Sequence, residues 1–278
     1  MTEPAPFIIW TLRRTGGTNL SQALFERVPF PKVPHEPFNH DRLYGPLTRA
    51  FIADRDEATL RVGIDAICAR GVTLKHCAET VPPKLNTVLA DASMAAGYRH
   101  VFLYRRSALD RLLSLIYAQR TGVWGPGSAA SAAADEQAFM SPLDIDHLLG
   151  HERVCRAELS AVHARLLARG ATPQQLVFED LLQSAEPECA ATLLRPVLLA
   201  LGLAVTEDER SALALRLVGA GEQGTRERYR HFSNWRALEA ALQDLGPFVL
   251  EHAAPRSHQM LQPHDAAPAM TARGMTPT

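Results

Sequence analysis

Four short apolar runs set the tightest limit on what this chain can become. They are Phe7-Ile8-Ile9-Trp10-Thr11-Leu12, Val72-Thr73-Leu74-Lys75-His76, His100-Val101-Phe102-Leu103-Tyr104 and Gln175-Leu176-Val177-Phe178. Each has strand length and is rich in branched or aromatic residues, and stretches with helical period separate them. Parallel strands joined through helices need right-handed crossovers, and the resulting sheet is covered on both faces. The expected class is α/β, a three-layer fold with a central parallel sheet flanked by helices.

The spacing predicts helices over about residues 17–27, 54–70, 84–96, 107–121, 143–169, 188–202, 207–218 and 234–245. Pro82-Pro83 stand where the third begins, as prolines do in a first helical turn. The proline-rich stretch 29–45 reads as irregular loop, and the small residues of 125–134 read as a mobile loop between packed elements. Residues 1–253 are expected to form one domain, with 254–278 a frayed tail.

The chain has 278 residues, 46% hydrophobic and 21% charged, enough to bury a core without covalent staples. Its net charge of -1 provides no basic field, which excludes general DNA or RNA binding. Cys68, Cys77, Cys155 and Cys189 are scattered with no CxxC pair, so reduced core thiols are expected rather than zinc or disulfides. No secretory leader pattern follows Met1, and no apolar run approaches the ~18 residues of a membrane span, which predicts a cytoplasmic protein.

In such folds ligands sit outside the carboxyl ends of the strands. Arg14, Lys75, Arg106 and Glu179 each fall at or just past such an end, so one shared crevice is expected. The first strand breaks into Arg13-Arg14-Thr15-Gly16-Gly17-Thr18-Asn19 before a helix start. Backbone N–H groups, a positive helix end, the Thr15 and Thr18 hydroxyls and Arg14 together make an anion cradle, which the two glycines let a ligand approach closely. The GxxxxGK[ST] pattern is missing, so the ordinary ATP or GTP reading fails at its lysine. This is a P-loop-like turn for a different anion. A second arginine doublet, Arg105-Arg106, leaves the strand at 100–104, and Ser114 stands eight positions after Arg106 in the next helix. Extended side chains alternate, so one arginine of each doublet faces the crevice; Arg14 is preferred to Arg13. Two anion sites on neighbouring strand ends suggest a nucleotide with phosphate at both ends of its ribose.

This pair of motifs resembles the PAPS-dependent sulfotransferases, whose donor is 3′-phosphoadenosine 5′-phosphosulfate. Arg14-Thr15-Gly16-Gly17-Thr18 is similar to their 5′-phosphosulfate loop, and Arg106 with Ser114 to their 3′-phosphate motif. His35-Glu36-Pro37-Phe38-Asn39 and the stretch from Ser114 to Trp124 are similar to the bacterial carbohydrate branch of that family, and the likeness spans roughly 7–250. The resemblance implies sulfuryl transfer from PAPS to a hydroxyl of a sugar or glycolipid, without a metal. It also implies a possible homodimer.

Such transfer needs donors on the leaving phosphate, positive contacts on the sulfate oxygens, and a base for the acceptor hydroxyl. The leaving phosphate is assigned to Arg14 and the N–H groups of Gly16, Gly17, Thr18 and Asn19, and a sulfate contact to Lys75. Two bases compete. Glu36 matches the family carboxylate and needs a partly apolar pocket that lifts its pKa. His76, at a strand end, is the second choice. Arg228 or Arg230 would complete the 3′-phosphate site, and Phe38 and Trp124 could stack on a sugar or on adenine. Asn234 reads as the N-cap of the last helix, and Glu179 with Asp180 as structural. A divergent P-loop kinase and a non-catalytic nucleotide-binding protein of the same fold are the alternatives.

Overall fold

The computed structural model describes residues 3–33, 35–124, 132–220 and 228–251. The chain runs β1 (Phe7–Thr11), α1 (Gly17–Phe25), β2 (Lys32–Val33), α2 (Gly45–Asp54), α3 (Glu57–Cys68), β3 (Thr73–Cys77) and a 3-10 turn at Ala78–Thr80. It continues through α4 (Pro83–Ala95), β4 (Arg99–Tyr104), α5 (Ala108–Thr121), α6 (Ala132–Met140), α7 (Ile145–Ala168) and β5 (Gln174–Val177). Helices α8 (Phe178–Leu181), α9 (Pro187–Ala200) and α10 (Glu207–Ala220), a 3-10 turn at Arg228–His231 and α11 (Trp235–Gln243) complete it.

The five strands form one all-parallel sheet in the order β2-β3-β1-β4-β5. β1 and β4 are largely apolar on both faces because both faces are covered, whereas β3 buries Lys75 and His76 as well. Ile8, Trp10, Leu74 and Phe102 pack under α2, α3, α4 and α7, whereas Phe7, Ile9, Val101 and Leu103 pack under α1, α9 and α10. The chain leaves β1 toward one edge of the sheet and leaves β4 toward the other. Right-handed crossovers therefore send α1 and α5 to opposite faces, and a crevice opens between the carboxyl ends of β1 and β4. A third cluster joins Leu112, Leu113 and Tyr117 of α5 to Tyr229, Phe232 and Leu238, which brings the C-terminal segment back to this crevice.

Several expectations change. The single helix over 54–70 is two, because Asp56 caps a new helix start by accepting from the backbone N–H groups of Ala58 and Thr59. The stretch 29–45 holds a two-residue edge strand, β2, and ends where α2 begins, with Pro46 in the first turn. Residues 132–134 of the expected loop belong to α6, while 125–131 and the expected tail lie outside the described residues. Among the described residues no helix is long and apolar enough to cross a membrane.

Candidate functional site: an anion crevice between β1 and β4

The cradle forms as its residue types dictate. Gly16 precedes α1 at φ 77, and a Cβ there would lie 2.9 Å from Leu182 Cδ2 and 3.0 Å from the Phe178 ring. At Gly17 a Cβ would meet Thr11 Cγ2 at 3.0 Å and Lys75 Cδ at 3.2 Å, so the first turn of α1 sits close against β3. Gly16 offers no side-chain cap, and no acidic residue stands in the first turn, which leaves the positive end of α1 turned to the crevice. Gly16→Ala should cost about 2 kcal/mol in urea denaturation, combining a left-handed backbone penalty with crowding of Phe178. Thr15 departs from its expected role: its hydroxyl donates to Leu12 O at 2.7 Å and contacts Thr11 Oγ1, so it ties the loop inward.

The first arginine doublet splits. Arg13 Nε donates to Glu79 Oε1 at 2.6 Å, while Arg14, in left-handed backbone at φ 65, reaches into the crevice. There Arg14 Nε donates to Ser114 Oγ at 2.8 Å across 100 residues of sequence, and its Nη1 donates to Trp124 O at 2.6 Å.

Beside the cradle, Lys75 is almost fully buried and bridges two segments. Its Nζ donates to Thr18 Oγ1 at 3.0 Å and to Glu36 Oε1 at 2.6 Å. Burial pushes the Glu36 carboxyl up, but the Lys75 ammonium, with a weaker donation from Cys77 Sγ, outweighs it and holds the group below the ordinary glutamate value. The raised pKa expected for a base in an apolar pocket is therefore not found, and Glu36 is ionised at neutral pH.

His76 is adjacent to Lys75 on the same strand and points the opposite way. Its ring is buried edge-on to Trp10 and Phe38, Nε2 bonds Asn86 Oδ1 at 2.7 Å, and burial drives its pKa down to about 4. His76 is thus a neutral core residue and not a base in the crevice. Phe38 is fully buried against Tyr44 and His76, so it has no face for a sugar or adenine. Trp124 is 49% exposed at the crevice mouth and keeps an open face.

The second doublet differs from the assignment made by spacing. Arg106 turns out to solvent and pairs with Asp180, and its backbone N–H donates to Glu179 Oε2 at 2.9 Å. Arg105 lies inside, with its guanidinium 3.7 Å from the centroid of Phe178, the ring that also packs on Gly16. Its Nε is buried with no hydrogen-bond partner among the described residues, and burial lowers its pKa to about 10. The crevice-facing arginine is therefore Arg105, because β4 alternation continues one residue past the strand end.

Ser114 also accepts a hydrogen bond from Tyr229 Oη at 3.0 Å, and Arg228 reaches the neighbouring Tyr117 Oη at 3.5 Å. Arg230 is exposed. Asn234 does precede α11, but its side chain makes no cap; it accepts from Leu143 N at 2.8 Å and donates to Leu143 O at 2.9 Å, pinning the Arg228 segment to the entrance of α7. Glu179 has a structural role, accepting from the backbone N–H groups of Arg106 and Ser107.

Sequence reasoning missed Glu79, Arg111, Glu152 and Tyr229. The one available signal was Arg111 standing between apolar Leu112 and Leu113 and the start of α5, where a buried cation demands acids elsewhere. Those acids are Glu79 and Glu152. Glu79, His151 and Cys155 also bring possible metal-ligand atoms within 4.8 Å of one another. Arg13 and Arg111 already occupy both oxygens of Glu79, and two guanidiniums beside the cluster oppose a cation. No protein-family model matches this chain, and no curated protein matches it at a significant level.

Proposed function

We propose that this chain is a sulfotransferase that moves a sulfuryl group from PAPS to a hydroxyl of a carbohydrate or glycolipid. The observation that carries the proposal is the Arg14–Ser114 hydrogen bond of 2.8 Å. Two segments, each suited to an anion and 100 residues apart, meet in one crevice at the strand ends. The donor set suits a doubly phosphorylated nucleotide: the helix end and Arg14 for one phosphate, and Ser114, Tyr229, Arg105 and Arg228 for the other.

When bound, PAPS supplies the sulfuryl group on a phosphate leaving group. Lys75 is placed to contact sulfate oxygens from its position between Thr18 and Glu36. Glu36, ionised, takes the acceptor proton as the acceptor oxygen forms its bond to sulfur and the sulfur–phosphate oxygen bond breaks. Arg14 and the first turn of α1 stabilise the charge that collects on the departing phosphate. Trp124 offers an apolar face for the acceptor.

Calorimetry with adenosine 3′,5′-bisphosphate and transfer of labelled sulfate from PAPS to sugars test the proposal. Binding in the micromolar range and its loss in Arg14→Ala are the expected results. Failure of the wild-type protein to bind the bisphosphate refutes it, and magnesium-dependent ATP turnover would favour a kinase. Arg105→Ala should weaken the bisphosphate by about 10- to 100-fold, the value of one charge-assisted contact, and Arg106→Ala by far less. The reverse order would return the second phosphate to Arg106.

A further inference from the structure

Arg14 holds a backbone conformation that side chains other than glycine rarely adopt, and it holds it at the point where the crevice needs a guanidinium. Something must impose that shape. The residue before it supplies the answer, because both polar groups of the Arg13 backbone are engaged by one buried ion pair. Its N–H donates to Glu79 Oε1 at 3.1 Å, and its C=O accepts from Arg111 Nη1 at 3.5 Å. The same Nη1 donates to Glu79 Oε2 at 3.2 Å, so carboxylate and guanidinium hold each other as well as the peptide. The Glu79 and Arg111 side chains are 2% and 1% exposed. Behind them Arg111 pairs with Glu152, which accepts from Arg156 Nε at 2.8 Å, so the pair is anchored from a second side.

We propose that Glu79 and Arg111 are positioning residues: they clamp the Arg13 backbone on both sides of its Cα and thereby hold Arg14 in the left-handed conformation that aims its guanidinium at the bound anion. The clamp acts on the backbone of the turn, through the N–H and C=O of Arg13. Arg13 takes part through its backbone and through its side chain, whose Nε donates to Glu79 Oε1 at 2.6 Å. The carbonyl of Arg13 belongs to the peptide that precedes Arg14, so fixing it limits the rotation that would swing Arg14 back to an ordinary turn. A buried charged pair is weak support for stability alone, since apolar residues of similar volume commonly serve as well. Its grip on the two successive peptides that flank the Arg13 Cα is what a directional role requires. The inference rests on the reading of the β1–α1 turn as an anion cradle.

A double-mutant cycle on the full chain tests it, with adenosine 3′,5′-bisphosphate and inorganic pyrophosphate as separate probes in calorimetry. Arg111→Lys keeps the charge but loses the fork that reaches both Glu79 and the Arg13 carbonyl. It should weaken binding by about tenfold or more, as small misplacements of a binding group do. Arg14→Ala should weaken binding more, and adding Arg111→Lys to it should change the affinity by less than about twofold, since no guanidinium is left to aim. Losses that multiply in the double variant overturn the proposal, as does wild-type affinity in a folded Arg111→Lys protein. Should Arg111→Lys fail to fold, Glu79→Gln enters the same cycle with the same expected pattern. Binding of pyrophosphate without the bisphosphate would refute the nucleotide reading and leave the clamp to be scored on pyrophosphate. Binding of neither probe by the wild type overturns both.

Discussion

Glu36→Gln is expected to slow sulfuryl transfer by about 10²- to 10⁴-fold, the usual contribution of a positioned base, with bisphosphate affinity no weaker than wild type. The glutamine keeps an oxygen for Lys75 Nζ, now 2.6 Å from the carboxylate, but cannot take a proton from the acceptor. Because Lys75 holds Glu36 below the ordinary value of 4.5, the carboxylate remains ionised throughout the neutral range. The rate profile should therefore stay flat on its acid side down to about pH 5, where a base of ordinary histidine pKa would already have lost most of its activity. His76→Gln separates the two candidates further: it should retain transfer while lowering stability. A rate collapse in His76→Gln with an active Glu36→Gln enzyme would reverse the assignment of the base.

The second large effect is on stability below neutral pH. His76 and His100 are buried on the same side of the sheet around Trp10, whose indole Nε1 donates to His100 Nδ1 at 3.1 Å. Burial drives both imidazoles down to about 4 from the ordinary 6.5. The folded protein keeps them neutral while the unfolded chain protonates them, so folding loses free energy as protons are added. Stability is fully present above about pH 6.5 and is lost as the pH falls toward 4, by roughly 3 kcal/mol per histidine at the lower limit. Two such losses together rival the whole stability of an ordinary domain. Urea denaturation at pH 7, 5.5 and 4.5 should show the decline, and a His76→Gln, His100→Gln double variant should flatten it. The depressed carboxylates Glu36, Glu79 and Asp91 lose stability only as the pH falls through their folded values, below 4.5, so the upper window belongs to the imidazoles. An equally steep decline in the double variant would remove the histidines as its cause.

The strands were legible because a doubly covered sheet writes nearly continuous apolar runs, of which β1 and β4 are the clearest, while β3 shows as a short run of strand length between helical stretches. Helix α2 was not, since Pro46 and the flanking loop residues read as punctuation while its buried face is carried by few residues, Thr48 and Phe51 among them. In the site, residue types at strand ends named Arg14, Lys75 and Ser114, but partnership is a property of three dimensions. Period-two alternation separates Arg13 from Arg14, Lys75 from His76 and Arg105 from Arg106, but it does not say which member of a pair faces the crevice. At the last pair the eight-residue spacing to Ser114 points to Arg106, which pairs with Asp180 at the surface. Phe38 looked available because it sits between prolines and polar residues, yet Thr48 Oγ1 donates to its carbonyl and folds it under α2. Glu79 and Arg111 left almost no trace, because a buried ion pair is visible only once both partners are placed.

The strand order also bears on how the chain is born. β1 precedes the other described strands in the chain but stands in the middle of the sheet, paired to β3 and β4. At ordinary elongation rates roughly 5 to 20 s pass between its emergence and that of β4. Both edges of Phe7-Ile8-Ile9-Trp10 are bare until β3 emerges, and one edge stays a sticky, unpaired ribbon until β4 follows.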